Sequence, residues 1–244
     1  MSITDISNKV INELVQRGFA SPMIYGSWCY YEKYKFDDKY PNDIDVINIV
    51  HEESEEGEFT LELNCIDIPV NVECMTLQHF RQDYKTPQIK YLGIGLAGSN
   101  NSSINHIFLY LGAVHSYYAE LPKNVVRTMC SSSSSKAFNK GVKKLTLDDD
   151  YDKDLGLKNI WHSIHFISIV DSYYKSYDDS LNVAEYALYT EYNMLRCIPM
   201  RDMIYKIYEE TEGSLQDKAQ AVIDYAKPLR NKLMTEFRAL YPKE

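Results

Sequence analysis

The sequence has no apolar run long enough to cross a bilayer, so a helical membrane protein is excluded as its reading. Its opening residues, MSITDISNKV, contain neither a basic start nor an apolar stretch, and no secretory signal is read there. A cytoplasmic protein without membrane partners is the expectation. Positive charge is in short supply: 26 Lys and Arg face 35 Asp and Glu, a net charge of −9. A broad, sequence-independent grip on nucleic acid depends on neutralising many phosphates, and this balance argues against one, although it leaves room for a local basic strip. Cysteine is sparse and unpatterned. Cys29, Cys65, Cys74, Cys130 and Cys197 form no CxxC pair, so reduced, mostly buried thiols are expected rather than a disulfide framework or a zinc site. His51, His79, His106 and His115 show no metal-ligand spacing.

Apolar residues supply 45% of the 244 positions, enough to bury the core of one large or two small domains. Ser2-Ile-Thr-Asp5 reads as a capping box opening a helix, with Ile6, Val10, Ile11, Leu14 and Val15 at helical spacing and Gly18 as its stop. Met23-Ile24-Tyr25 is a short strand ending in a Gly26-Ser27 turn. A short helix over 28–34 and a polar loop over 35–42 follow. Residues 43–50 alternate with β-branched side chains and predict a strand. The acidic run 52–58 reads as a solvated turn, and 59–68 and 70–75 as two more strands with Pro69 between them. Thr76 is placed to cap a helix running to Tyr84. Helical periodicity then covers 104–118, 125–145, 155–174, 181–195, 200–210 and 215–240, punctuated by Gly156, Pro199, Gly213 and Pro228. The expected class is α+β: a small mixed sheet with flanking helices over 1–90, and a helical domain over 91–244 packed on it.

The informative constellation is Gly26-Ser27 followed by Asp43-Ile44-Asp45. Carboxylates two apart on a strand point to one face. Facing carboxylates repel unless protonated or bridged by a cation, and Mg²⁺ prefers such oxygen ligands. A Gly-Ser turn opposite them supplies backbone N–H groups and a hydroxyl for phosphate oxygens. These parts suit phosphoryl transfer, with a metal bridging a nucleotide's phosphates.

Gly26-Ser27 with Asp43-Ile44-Asp45-Val46 resembles the glycine-serine and paired-aspartate signature of the polymerase β-type nucleotidyltransferases. That resemblance implies a nucleotidyltransferase sheet, an NTP substrate, Mg²⁺ or Mn²⁺ as cofactor, and a third acid on a neighbouring strand. Glu73 is the best local candidate for the third ligand and Asp67 the runner-up. Asn71 shares the strand face of Glu73, at a position where the family often carries Asp. Lys158 and His162, in Lys158-Asn159-Ile160-Trp161-His162-Ser163-Ile164-His165, are similar to a Lys-x-x-x-His-x-x-Arg helix of one branch. That branch includes proteins associated with RNA repair and occurs in bacteria and tailed phages. It implies a nucleotide-facing Lys-His pair, against the plainer alternative of a solvated lysine and a core histidine. Three features depart from the pattern. Trp28-Cys29-Tyr30-Tyr31 replaces a second glycine, the Gly-Ser to Asp spacing is long, and His165 stands in place of Arg, removing a fixed charge and its fork of donors.

The serine run at 131–135, followed by Lys136, Lys140, Lys143 and Lys144, could face an anion; its composition reads first as a flexible loop and a solvated helix face. The leading functional expectation is nucleoside monophosphate transfer from an NTP to an RNA end, a protein hydroxyl or a small molecule. The rival is a catalytically inactive module that binds nucleotide or a host protein.

Overall fold

A computed structural model describes residues 3–26, 28–29, 43–96, 107–175 and 183–243. The capping residue Ser2, Ser27, most of the helix expected over 28–34 and the loop expected over 35–42 lie outside them. The chain divides into two compact units, Met1–Glu120 and Leu121–Glu244. Among the described residues no helix is long and apolar enough to cross a membrane.

The first unit is built on a four-stranded mixed sheet. Helix α1 (Ile3–Gln16) leads into β1 (Pro22–Tyr25); β2 (Ile44–Val50), β3 (Gly57–Leu61) and β4 (Val70–Thr76) follow. The strand order is β1-β2-β4-β3, with β2 and β4 parallel at the centre and β1 and β3 antiparallel at the edges. Helix α1 buries Ile6, Val10 and Leu14, four residues apart each time, and ends at Gly18, whose φ of 96° lets the chain reverse. On the sheet, Ile24, Ile44, Val46, Val70 and Val72 are buried on one face by strand alternation. The opposite face carries the polar residues Tyr25, Asp45, Asn71, Glu73 and Thr60 in paired register.

The strand expected over 59–68 stops at Leu61. The carboxylate of Glu13 on α1 accepts from the backbone N–H of Asn64 (2.9 Å) and Cys65 (3.0 Å), which turns the chain away from the sheet. Those bonds, the one from Asn64 foremost, hold Glu13 down at about 2. Further helices described in the unit are α2 (Leu77–Tyr84), α3 (Ile89–Leu96) and α4 (Ile107–Ala119). Thr76 caps α2 as its position suggests, its hydroxyl accepting from His79 N–H. Helix α3 has no counterpart in the sequence reading. It buries Tyr91 and Leu92, and Tyr118 of α4 hydrogen-bonds the backbone of Gln88, so both helices belong to the sheet's unit rather than to the helical part expected from residue 91.

The described residues of the second unit form helices α5 (Lys123–Thr146), α6 (Lys153–Lys175), α7 (Val183–Glu210) and α8 (Leu215–Leu240) and no strand. Gly156 does not interrupt α6. It faces Gly141 of α5, where a Cβ on Gly141 would meet the Ile160 backbone nitrogen at 2.8 Å, so the two antiparallel helices touch nearly backbone to backbone. Pro199 and Pro228 lie inside α7 and α8 instead of dividing them. Both are exposed, so each lost N–H donor falls on a solvated face, where water can answer the carbonyl left over. The serine run is helix rather than loop, with Ser132, Lys136 and Lys140 exposed on its solvated side. It sits within α5, with Ser134 fully buried and donating to Ser163 O on α6 (2.6 Å).

Candidate active site on the polar face of the sheet

Asp43 immediately precedes β2 and Asp45 is its second residue, so alternation sends both side chains to the same face. Parallel pairing sets Asp45 opposite Asn71 and Ile47 opposite Glu73. The Asn71 amide joins the two aspartates: its Nδ2 lies 3.4 Å from Asp43 Oδ2 and 3.5 Å from Asp45 Oδ1. Thr60 Oγ1 donates to Asn71 Oδ1 at 2.9 Å and so orients the amide with its N–H groups toward the carboxylates. Both carboxylates thus lie within reach of one nitrogen, and the amide supplies partial positive charge between them.

Gly26 closes the site from β1. Its φ of 70° is one that side chains disfavour, and a Cβ there would lie 2.9 Å from Asp45 Oδ2. The turn therefore approaches the carboxylate as only glycine can.

Glu73 shares this face but is engaged elsewhere. Tyr25 Oη donates to Glu73 Oε2 (3.1 Å), and Lys90 Nζ on α3 lies 3.7 Å from the same oxygen. Lys90 also pairs with Asp83 at 3.0 Å and stands over the rings of Tyr91 (5.0 Å) and Tyr25 (5.8 Å). Asp83 accepts from Tyr91 and Gln88 as well. Burial works to raise the Asp83 carboxyl, but the bonds from Tyr91 and Lys90 outweigh it and hold the group below its ordinary value. Burial foremost, with the Glu73 charge next, drives the Tyr25 phenol far up, so it stays a donor. Asp67 is exposed in the segment between β3 and β4. Among the described residues no three Asp, Glu, His or Cys groups cluster as metal ligands; the third member beside Asp43 and Asp45 is Asn71.

Lys158 and His162 belong to α6 in the helical unit. The His162 ring packs beside Trp161 (5.1 Å) and Phe166 (5.3 Å). Burial first, then the neighbouring His165, Lys158 and Arg201, push it well below its ordinary value, so it is a neutral imidazole. His165, which stands where the similar helix motif carries Arg, is buried and stacked on Trp161 at 4.3 Å. Sequence spacing did not single out Tyr25, Lys90, Asp83 or Tyr91. Lys90 is the only charged residue of α3, a helix with no counterpart in the sequence reading.

No protein-family model matches the chain, and no curated protein matches it. Among solved structures it is similar to a nucleotidyltransferase-like protein from Exiguobacterium sibiricum 255-15, with 13% identity, 96% of this chain and 78% of that one covered, and a TM-score of 0.35. A likeness of that size fixes neither a site nor a reaction.

Proposed function

We propose that this protein transfers a nucleoside monophosphate from an NTP to an acceptor, with Asp43 and Asp45 as ligands of Mg²⁺ or Mn²⁺. The observation that carries the reading is the convergence of both carboxylates on the Asn71 amide, with Gly26 pressed against Asp45. The donor set suits the ion: Mg²⁺ is commonly held by one or two carboxylates, its other positions filled by water and substrate phosphates. When bound, such an ion neutralises phosphate charge and activates the attacking oxygen. The chain's own contributions are the paired carboxylates, the glycine turn packed against Asp45, and Lys90, which keeps Glu73 from adding further uncompensated negative charge. An RNA end and a protein hydroxyl both remain candidate acceptors.

A second reading has its own support. Asn71 occupies the place of a third carboxylate, and Glu73 is committed to Tyr25 and Lys90. Fewer acids favour a module that binds nucleotide without turning it over.

The deciding experiment measures Mg²⁺- or Mn²⁺-dependent incorporation of labelled nucleotide from each of the four NTPs, beside thermal melts with and without metal-NTP. Transfer that disappears in Asp45→Asn supports the enzyme. A metal-NTP melting shift without transfer supports the binding module. Absence of both, or equal shifts in wild type and Asp45→Asn, would sink the metal-site assignment.

A further inference from the structure

In the helical unit Arg230 and Arg238 are answered, among the described residues, by serine hydroxyls and by no carboxylate. Ser131, Ser134 and Ser135 are three and four residues apart on α5 and share one face. Helix α8 lays its arginines on that face. Arg230 donates from Nε to Ser134 Oγ and from Nη2 to Ser135 Oγ, both at 2.8 Å. Arg238 donates from Nε and Nη2 to Ser131 Oγ, both at 3.3 Å. Among the described residues neither guanidinium forms an ion pair.

A hydroxyl satisfies an N–H but does not neutralise its charge. Arg230 is half-buried; burial first, and then the charge of Arg238, press its guanidinium below its ordinary value. Two like charges, one of them partly desolvated, are unfavourable until an anion joins them.

The donors left over point to what that anion is. Arg230 Nη1 has only a long contact, 3.4 Å, with Oδ1 of its neighbour Asn231. Arg238 Nη1 has no partner among the described residues. The Ser134 proton is committed to Ser163 O, whereas the Ser135 hydroxyl accepts from Arg230 and keeps its own proton to give. Phe138 covers Arg230 from one side, its ring 5.4 Å away. The remaining guanidinium N–H groups of two arginines, with an adjacent hydroxyl donor, suit the oxygens of a tetrahedral phosphate, to which guanidinium makes charge-assisted hydrogen bonds.

We infer that Arg230, Arg238 and Ser135 form a binding site for a phosphate group, carried either by free phosphate or a nucleotide, or by a nucleic-acid strand. The site uses residues of the helical unit alone and does not depend on the transfer reaction.

The test is titration of the full chain, in the presence of a metal chelator, with inorganic phosphate, ATP and a short single-stranded RNA. Saturable binding of at least one probe is expected. Response to phosphate and ATP alone marks a small-molecule site, and response to RNA alone marks a strand site. Arg238→Gln changes an exposed side chain and should weaken the responding probe about tenfold. For RNA it should also reduce the slope of log K against log salt by about 0.7. Ser135→Ala should weaken binding severalfold with an unchanged melting temperature, which an arginine that merely staples α8 to α5 does not explain. Arg230→Lys keeps the charge and loses the fork, so it should bind poorly; if it fails to fold, the other two variants decide. Wild type that binds none of the three probes, or Arg238→Gln and Ser135→Ala that bind like wild type, overturns the proposal.

Discussion

Gly26 and Asp45 meet backbone to carboxylate: a methyl group on the Gly26 α-carbon would sit 2.9 Å from Asp45 Oδ2, at a φ of 70°. Gly26→Ala therefore carries two penalties. The left-handed backbone costs about 1–2 kcal/mol for a residue with a Cβ, and Asp45 must rotate away from its present place. The variant should melt lower than wild type and lose most of any Mg²⁺-NTP stabilisation. A variant with wild-type melting and a wild-type ligand shift would show that the turn and the carboxylate are independent.

Asn71→Asp makes the opposite trade. The Thr60 hydroxyl keeps its acceptor, but Asp43 and Asp45 lose an N–H donor and gain a third carboxylate beside them. Without metal the protein should lose about 1–3 kcal/mol. With Mg²⁺ or Mn²⁺ it should recover more melting temperature than wild type does, because a hard cation gains an oxygen ligand. Melting curves across a metal titration measure both, and a metal response no larger than wild type's would remove Asn71 from the site.

The paired aspartates and the strand carrying them were legible because both signals are short-ranged: two acids two apart, and β-branched alternation around them. Thr76, three residues before the N–H it caps, was legible for the same reason. The Tyr25–Glu73–Lys90–Asp83 network was not, since its members come from β1, β4, α3 and α2 and meet only once the sheet has formed. The serine run misled through composition. What fixes it as a packed helix face is Arg230 and Arg238, which lie far along the chain. Pro199 and Pro228 misled because a proline's cost depends on exposure, and exposure is not a local property.

His165 makes stability depend on acid. Burial first, and the Arg201 charge second, lower its imidazole from an ordinary 6.5 to about 3. The unfolded chain takes up a proton below about pH 6.5, and the folded chain does so only near the lowered value. The stabilisation is therefore complete above 6.5 and is lost progressively as pH falls toward about 3, with a slope of up to about 1.4 kcal/mol per pH unit. His162, shifted in the same direction, adds to the effect. His165→Phe preserves a ring against Trp161 and should flatten the acid limb by about one proton's worth. Urea melts at several pH values between 4 and 7 would detect it, and parallel curves for the two proteins would contradict the assignment.

Gly141→Ala tests the helix crossing. The added methyl would meet Ile160 Cγ1 and N at 2.8 Å and Gly156 O at 2.9 Å, and two of those atoms are backbone. Side-chain rotation cannot relieve the clash, so α5 and α6 must separate, at a cost of about 1–3 kcal/mol. Denaturant midpoints report the loss. Gly112→Ala is the control, since nothing lies within 4 Å of the position its Cβ would take.

The connection between α5 and α6 is short, spanning only a 3₁₀ turn at Asp148–Asp150, and their contacts run from Gly141–Gly156 outward to Ser134–Ser163. Pairing of that kind closes small loops and needs little search of conformational space. During synthesis the hairpin is complete before α7 and α8 have left the ribosome. In that interval Ser131 and Ser135 lack their arginine partners, so the docking of α8 is the event that first sets Arg230 and Arg238 against the serine face.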